Sequence, residues 1–168
     1  MQLGLTFPLQ RKLKIKSVPY GTPLERLFCW DLQCITLRGQ GSLLLVHCVS
    51  RYTIVACGVT TFHWDDLPSF AMEQIQAGLL DAGLSKQTVT DYLRGAGTPE
   101  LSRTHGRREV AFLNRAWEEV LALDFTVDTA TARQPLLEQA VNGISCRCAG
   151  FEGRETAKQF LFKSFQLT

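Results

Sequence analysis

Apolar and polar residues alternate over residues 26–38, with Phe28, Trp30, Leu32 and Cys34 on one side and Asp31 and Gln33 on the other. A period of two predicts a half-buried strand. The glycines at 39 and 41 then supply the backbone freedom for a reversal. Residues 42–49 (SLLLVHCV) and 53–59 (TIVACGV) are almost continuously apolar, with only Ser50, Arg51 and Tyr52 between them. Such runs predict a hairpin buried on both faces, and the three segments together predict an antiparallel meander.

Beyond the meander the period becomes helical. Leu67, Phe70, Ala71, Ile75 and Leu79 recur at three- and four-residue steps within 63–83; Asp65 or Asp66 can cap that helix, Pro68 suits its first turn and Gly83 its end. Ser85 opens a second helix with Val89 and Leu93 on one face, ending at Gly95. Residues 95–100 form the clearest loop, and 100–104 can add an edge strand. From Arg107 to about Leu123, Val110, Leu113, Trp117, Val120 and Leu121 predict one apolar stripe. Arg107 and Asn114, two turns apart, fall on one border of that stripe, while Arg108, Phe112, Arg115 and Glu119 point away. A helix from Pro135 to Asn142 and Gly143, a short strand within 144–148 and a last helix within 153–165, with Ala157, Leu161 and Phe165 inward, complete the chain. The expectation is a single α+β domain over 1–168, an antiparallel meander sheet of about three to five strands between the helices at 66–83 and 107–123.

Composition adds limits. A chain of 168 residues that is 45% hydrophobic can build one sizeable core. A formal charge of +2 is too mild to mark a dedicated nucleic-acid binder. The apolar start precedes the first positive charges and is broken by Pro8, the reverse of a secretory signal, and no apolar run is long enough to span a bilayer. A soluble, cytoplasmic protein with no membrane partner is expected.

The chemistry-bearing residues are scattered. Cys29, Cys34, Cys48 and Cys57 fall in predicted strands, where a free thiol packs as a small hydrophobe, and Cys146 and Cys148 would point to opposite sides of a strand. His47, His63 and His105 share no ligand spacing. Alternation puts His47 and Cys48 on opposite faces, so His47 reads as a hydrogen-bonded core residue. Asp65 and Asp66 read as caps. Neither a nucleophile elbow nor a phosphate loop occurs, so the sequence predicts no catalytic residue, no metal and no cofactor.

Three candidate binding sets remain. Thr104, His105, Gly106 and Arg107 stand at a helix start, where free amides and a guanidinium can hold an anion or merely cap and solvate. Arg11, Lys12, Lys14 and Lys16, with no acid before Glu25, form the densest basic segment; with Arg103, Arg107 and Arg108 they would make a nucleic-acid or acidic-partner surface if the fold gathers them. Arg51 and Tyr52 either project together from the hairpin tip, or Arg51 solvates the turn while Tyr52 packs on the sheet. Arg107 and Asn114 are expected to form one polar cluster at the edge of the core.

The segments LQRKLKIK, LFCW, SRYTIVACG and GRREVAFLNRA resemble an uncharacterised family of small bacterial cytoplasmic proteins known only as a domain of unknown function. The matching positions are Trp30, Arg51, Tyr52, Gly58, Arg107, Val110, Ala111, Leu113, Asn114, Arg115 and Ala116, over about residues 1–122. The family often carries Asn near the position of His47, where this chain departs. The resemblance implies a fold class and no reaction; some members sit in phage or mobile-element contexts. The preferred expectation is therefore a non-enzymatic interaction module for a protein or nucleic-acid component, with a phage or mobile-element factor inhibiting a host defence machine as the specific form that the resemblance suggests. The alternative is an enzyme or anion-binding protein acting on a phosphorylated or nucleic-acid substrate through His105, Arg107 and Asn114. Oligomeric state is not read from the sequence.

Overall fold

A four-residue strand that the hydrophobic pattern does not announce organises the sheet. The computed structural model describes residues 1–21 and 24–166. Strand β1 (Gln2–Leu5) lies between β2 (Cys29–Leu37) and β5 (Glu100–Arg103) and runs parallel to both. Strands β3 (Gln40–His47) and β4 (Thr53–Ala56) continue from β2 as the expected antiparallel meander. The order is β4-β3-β2-β1-β5, so the sheet is mixed, which corrects the purely antiparallel expectation. The reason is physical: β1 pairs only with segments more than twenty residues away, and four residues give no periodicity to read.

Helices cover both faces. On one face Trp30, Leu32, Leu43, Leu45 and Ile54 pack beneath α3 (Leu67–Asp81) and α4 (Lys86–Ala96). On the other, Ile35, Leu44, Val46 and Val55 pack beneath α5 (Arg107–Ala122) and α6 (Pro135–Asn142). The expected cover by the helices at 66–83 and 107–123 is thus present. Short helices α1 (Phe7–Lys12) and α2 (Thr61–Asp65) flank the sheet; α2 separates the start of the predicted 63–83 helix from α3. Asp66 accepts from the Ser69 amide at 3.3 Å and Pro68 sits in the first turn of α3, as expected. A two-stranded ribbon, β6 (Ser145–Cys146) and β7 (Glu155–Thr156), precedes α7 (Ala157–Gln166).

Three polar arrangements fix this frame. Trp30 Nε1 donates to Tyr92 Oη at 2.8 Å, which donates to the Leu27 carbonyl at 2.9 Å. His47, fully buried, accepts from the Ser50 hydroxyl through Nδ1 and donates to the Leu27 carbonyl through Nε2, both at 2.8 Å. Burial, only partly opposed by the Leu27 contact, lowers its pKa to about 4, so it is neutral, and it is the hydrogen-bonded core histidine expected from the sequence. The third arrangement closes the outer edge of β4. Asn142 accepts from the Thr53 amide and donates to the Thr53 carbonyl, both at 2.7 Å, and Glu138 accepts from the Val55 amide at 3.0 Å. Two side chains one helical turn apart therefore take the place of a neighbouring strand.

The α5 stripe is rotated from its predicted position. Its buried residues are Glu109, Leu113, Ala116 and Val120, whereas Trp117 and Leu121 are 39% and 44% exposed. Ala116 allows close approach to the sheet, and Glu109 goes inward because the sheet beneath the first turn is polar. A hydrophobic count cannot anticipate a charged residue on the buried side.

Candidate functional site

The polar patch under the start of α5 is built from four neighbouring strands and the loop after β5. Gly4, Asp31 and Ser102 stand side by side on β1, β2 and β5, and Val46 and Cys48 lie on the same face of β3 and the residue beyond it. The chain leaving β5 folds back so that His105 covers Asp31. His105 Nδ1 lies 2.6 Å from Asp31 Oδ1, its backbone amide donates to both carboxylate oxygens at 3.2 and 3.3 Å, and Nε2 donates to Gln2 Oε1 at 3.2 Å. Cys48 Sγ lies 3.5 Å from the same Nδ1. The side chains of Asp31 and His105 are only 1% and 7% exposed.

Gly4 makes this arrangement possible. A Cβ there would stand 2.0 Å from Asp31 Oδ1 and 2.9 Å from His105 Nδ1. Burial disfavours the imidazolium, but the Asp31 carboxylate, with help from Cys29, outweighs it and raises His105 to about 9. Burial likewise pushes Asp31 up, opposed by His105, and pushes the Cys48 thiol well up. The pair therefore holds a proton at neutral pH, and Cys48 is a protonated thiol rather than a nucleophile. A nucleophilic triad would bring cysteine and aspartate to opposite nitrogens of the ring; here both face Nδ1.

A cleft of about 290 Å³ opens beside this centre, with Cys29 and His105 at its base and Arg26 and Arg103 on its walls. Arg103 is held there by donating to the Val18 carbonyl at 3.2 Å and to Tyr20 Oη at 2.8 Å.

A second feature is the face formed by α1 and α2. Phe7 is 68% and Phe62 80% exposed, so two large rings stand in solvent. The Arg11 guanidinium lies 5.3 Å from the Phe7 ring centre, and the Lys12 ammonium 4.8 Å from that of Trp64. Lys12, Lys14 and Trp64 line a groove of about 530 Å³, with Asp65 on its rim. Lys14 turns the chain out of α1 with φ +56.

The remaining sequence candidates fall elsewhere. Arg107 and Asn114 are both exposed on α5, and neither makes a hydrogen bond or ion pair among the described residues, so the expected polar cluster does not form. The rotation of α5 carries that border of the stripe into solvent. Arg108 leans on Glu109 at 2.6 Å instead of standing free. Tyr52 is buried and donates to the Gly78 carbonyl at 3.3 Å, as the packing alternative had it. Arg51 neither projects nor solvates the turn: with φ +63 it tucks under α5, 3.7 Å from Glu119 and 5.4 Å from the Phe112 ring centre. Lys12 and Lys14 line the groove and Arg103 the cleft, and the two share no lining residue. Asp31 and Cys48 were missed because each looks ordinary in its own strand; the one available signal was the single acid amid the apolar run of β2.

The class is that of a mixed five-stranded sheet packed between helices, with a buried polar centre under the start of α5. Residues 2–153 match the model of a domain of unknown function, DUF6933, and the chain belongs to that family. The match runs past residue 122, where the sequence resemblance stopped, through α6 and β6. No curated protein matches the chain. No helix among the described residues is long and apolar enough to cross a membrane.

Proposed function

We propose that the chain is a non-enzymatic binding module that holds single-stranded nucleic acid on the face formed by α1 and α2. The observation that carries this reading is the pair of exposed rings, Phe7 on α1 and Phe62 on α2, beside Arg11 and Lys12 on α1 and Lys14 just beyond it. Bases stack on exposed aromatic faces without regard to sequence, and the flanking cations track the phosphates. The enzyme alternative needs His105, Arg107 and Asn114 to converge, and they do not: His105 turns inward to Asp31 while the other two face solvent.

Fluorescence anisotropy with a labelled single-stranded oligonucleotide tests the proposal. If Arg11, Lys12, Lys14 and Lys16 each neutralise one phosphate, the logarithm of affinity should fall against the logarithm of salt with a slope of about −3. Replacing Lys12 and Lys14 by Gln should roughly halve that slope, and Phe7→Ala with Phe62→Ala should weaken binding by about 1–3 kcal/mol per stacked base. No binding at low salt, or affinity indifferent to both rings, would sink it.

A protein partner is the second reading, favoured by Trp117 and Leu121, exposed one turn apart on α5. Loss of partner capture on Trp117→Ala with oligonucleotide binding intact would support it.

A further inference from the structure

Asp31, Cys48 and His105 bring a carboxylate oxygen, a sulfur and an imidazole nitrogen within 4.8 Å of one another. Cys29 stands beside this trio rather than within it, its thiol donating to the Glu25 carbonyl at 3.5 Å. The β2–β3 ladder runs one rung beyond β3, where the Cys48 amide donates to the Cys29 carbonyl at 3.0 Å, so the two cysteines stand opposite each other. Cys29 also shares its face of β2 with Asp31, two residues on, and lines the same cleft as His105, so a turn of its side chain away from Glu25 would bring the thiol to the trio. We infer that Cys29, Asp31, Cys48 and His105 form a tetrahedral site for a zinc-class divalent ion, seated in the space that Gly4 leaves open.

Four arguments support the assignment. The ligand set is chemically apt: two thiolates, one imidazole and one carboxylate select zinc over the hard cations that prefer all-oxygen sites. The spacing is close to what coordination needs. Zinc bonds of about 2.0–2.3 Å give tetrahedral edges of about 3.3–3.7 Å; the Cys48–His105 edge is already 3.5 Å, and the Asp31–His105 edge of 2.6 Å opens once the shared proton leaves. The outer shell is in place, because the other ring nitrogen of His105 donates to Gln2 Oε1, fixing the tautomer that presents Nδ1 to a metal. Finally, there is an entry path and charge balance. The cleft whose base holds Cys29 and His105 reaches the surface, and its walls carry Arg26 and Arg103.

The exchange balances simply. The ion enters, and three protons leave: one from His105 Nδ1 and one from each thiol. The four ligands then hold the metal with one net negative charge beside two guanidinium groups. In the metal-free form the same residues stay satisfied by the Asp31–His105 bond. The site is therefore a two-state device, loaded or proton-bridged, rather than one that collapses when empty.

Cobalt(II) is the probe. Full-length protein, reduced and stripped with a chelator, should take up one equivalent, giving the intense visible bands of tetrahedral cobalt and a thiolate-to-cobalt charge-transfer band in the near ultraviolet; zinc should displace it. Cys29→Ser should roughly halve the charge-transfer band, and Cys48→Ser should remove the tetrahedral spectrum. Cys146→Ser combined with Cys148→Ser should change nothing. Gln2→Leu should weaken binding about 10–100-fold through the lost outer-shell bond. Because a ligand variant can fail to fold, proton release on zinc binding is measured on the wild-type chain in weak buffer near neutrality, with three protons per ion expected. Weak octahedral cobalt bands, a tetrahedral spectrum that survives Cys48→Ser or is lost with Cys146 and Cys148, or release of one proton or fewer would each overturn the assignment.

Discussion

Replacing Gly4 by alanine sets two physical effects against each other. Glycine within a strand is destabilising by about 0.5–1 kcal/mol relative to alanine, so backbone propensity alone makes Gly4→Ala a stabilising change. Packing says the opposite. The new methyl would stand 2.0 Å from Asp31 Oδ1, 2.9 Å from His105 Nδ1 and 3.0 Å from the Thr104 backbone, all tighter than real contacts. Overpacking of a core costs about 1–3 kcal/mol. Breaking a buried ion pair costs about 3–5 kcal/mol, because a charge is left without its partner. The steric effect should win, with a net loss on the order of 3 kcal/mol, a large part of a typical domain's stability. Urea unfolding measures this as a lower midpoint at unchanged slope. The His105 ring resonances, followed by NMR against pH, should show its pKa falling from about 9 towards the ordinary value. An alanine variant at least as stable as the parent, with that titration unmoved, would refute the packing described for the centre.

The two buried histidines should give stability opposite slopes on either side of pH 6.5. His47, lowered to about 4, contributes stability that is present above 6.5 and is lost as pH falls from there towards 4. His105, raised to about 9, contributes stability that is present below 6.5 and is lost as pH rises through 9. Each corresponds to roughly 3 kcal/mol at most, with protonation of Asp31, itself pushed up, flattening the acid arm; urea unfolding across pH 4–10 checks the signs, and a monotonic rise into alkali would contradict them. Asn142→Ala leaves the Thr53 amide and carbonyl without partners, so a loss of about 1–3 kcal/mol by thermal unfolding is expected. Arg107→Ala and Asn114→Ala should each lie within about 0.5 kcal/mol of the parent, since neither side chain is engaged; a loss above 1 kcal/mol would show a partner that the structure lacks.

What could be read from the sequence, and what could not, divides along contact distance. The β2–β3–β4 meander, the Asp66 and Ser85 caps, the start of α6 at Pro135 and the hydrogen-bonded core role of His47 rest on local pattern or local chemistry, and all are present. Strand β1 was invisible because Gln2 meets Cys29 on one side and Glu100 on the other, and four residues cannot show a period. The α5 error has one cause with two effects. A helix lying over Asp31 and Arg51 buries Glu109 and half-buries Glu119, so its inner side is not its most apolar side, and the border carrying Arg107 and Asn114 turns outward. The Asp31–His105 centre escaped for a third reason: its members come from β2, the residue after β3 and the loop after β5, and only the fold makes them neighbours. The sequence places His105 at a helix start as a candidate anion ligand, and the structure turns it in towards Asp31.

The side chains of α6 that close β4 also decide how this molecule can and cannot meet others. Many recognition domains bind extended peptides by letting them zip onto a free sheet margin. Here that margin is plugged by Asn142 and Glu138, and at the far margin the Arg103 amide is taken by the Pro19 carbonyl. Peptide docking by zippering is closed at the β4 margin unless α6 swings away. A chain shortened to end before Pro135 would keep all five strands and lose the plug, leaving the β4 margin free to pair.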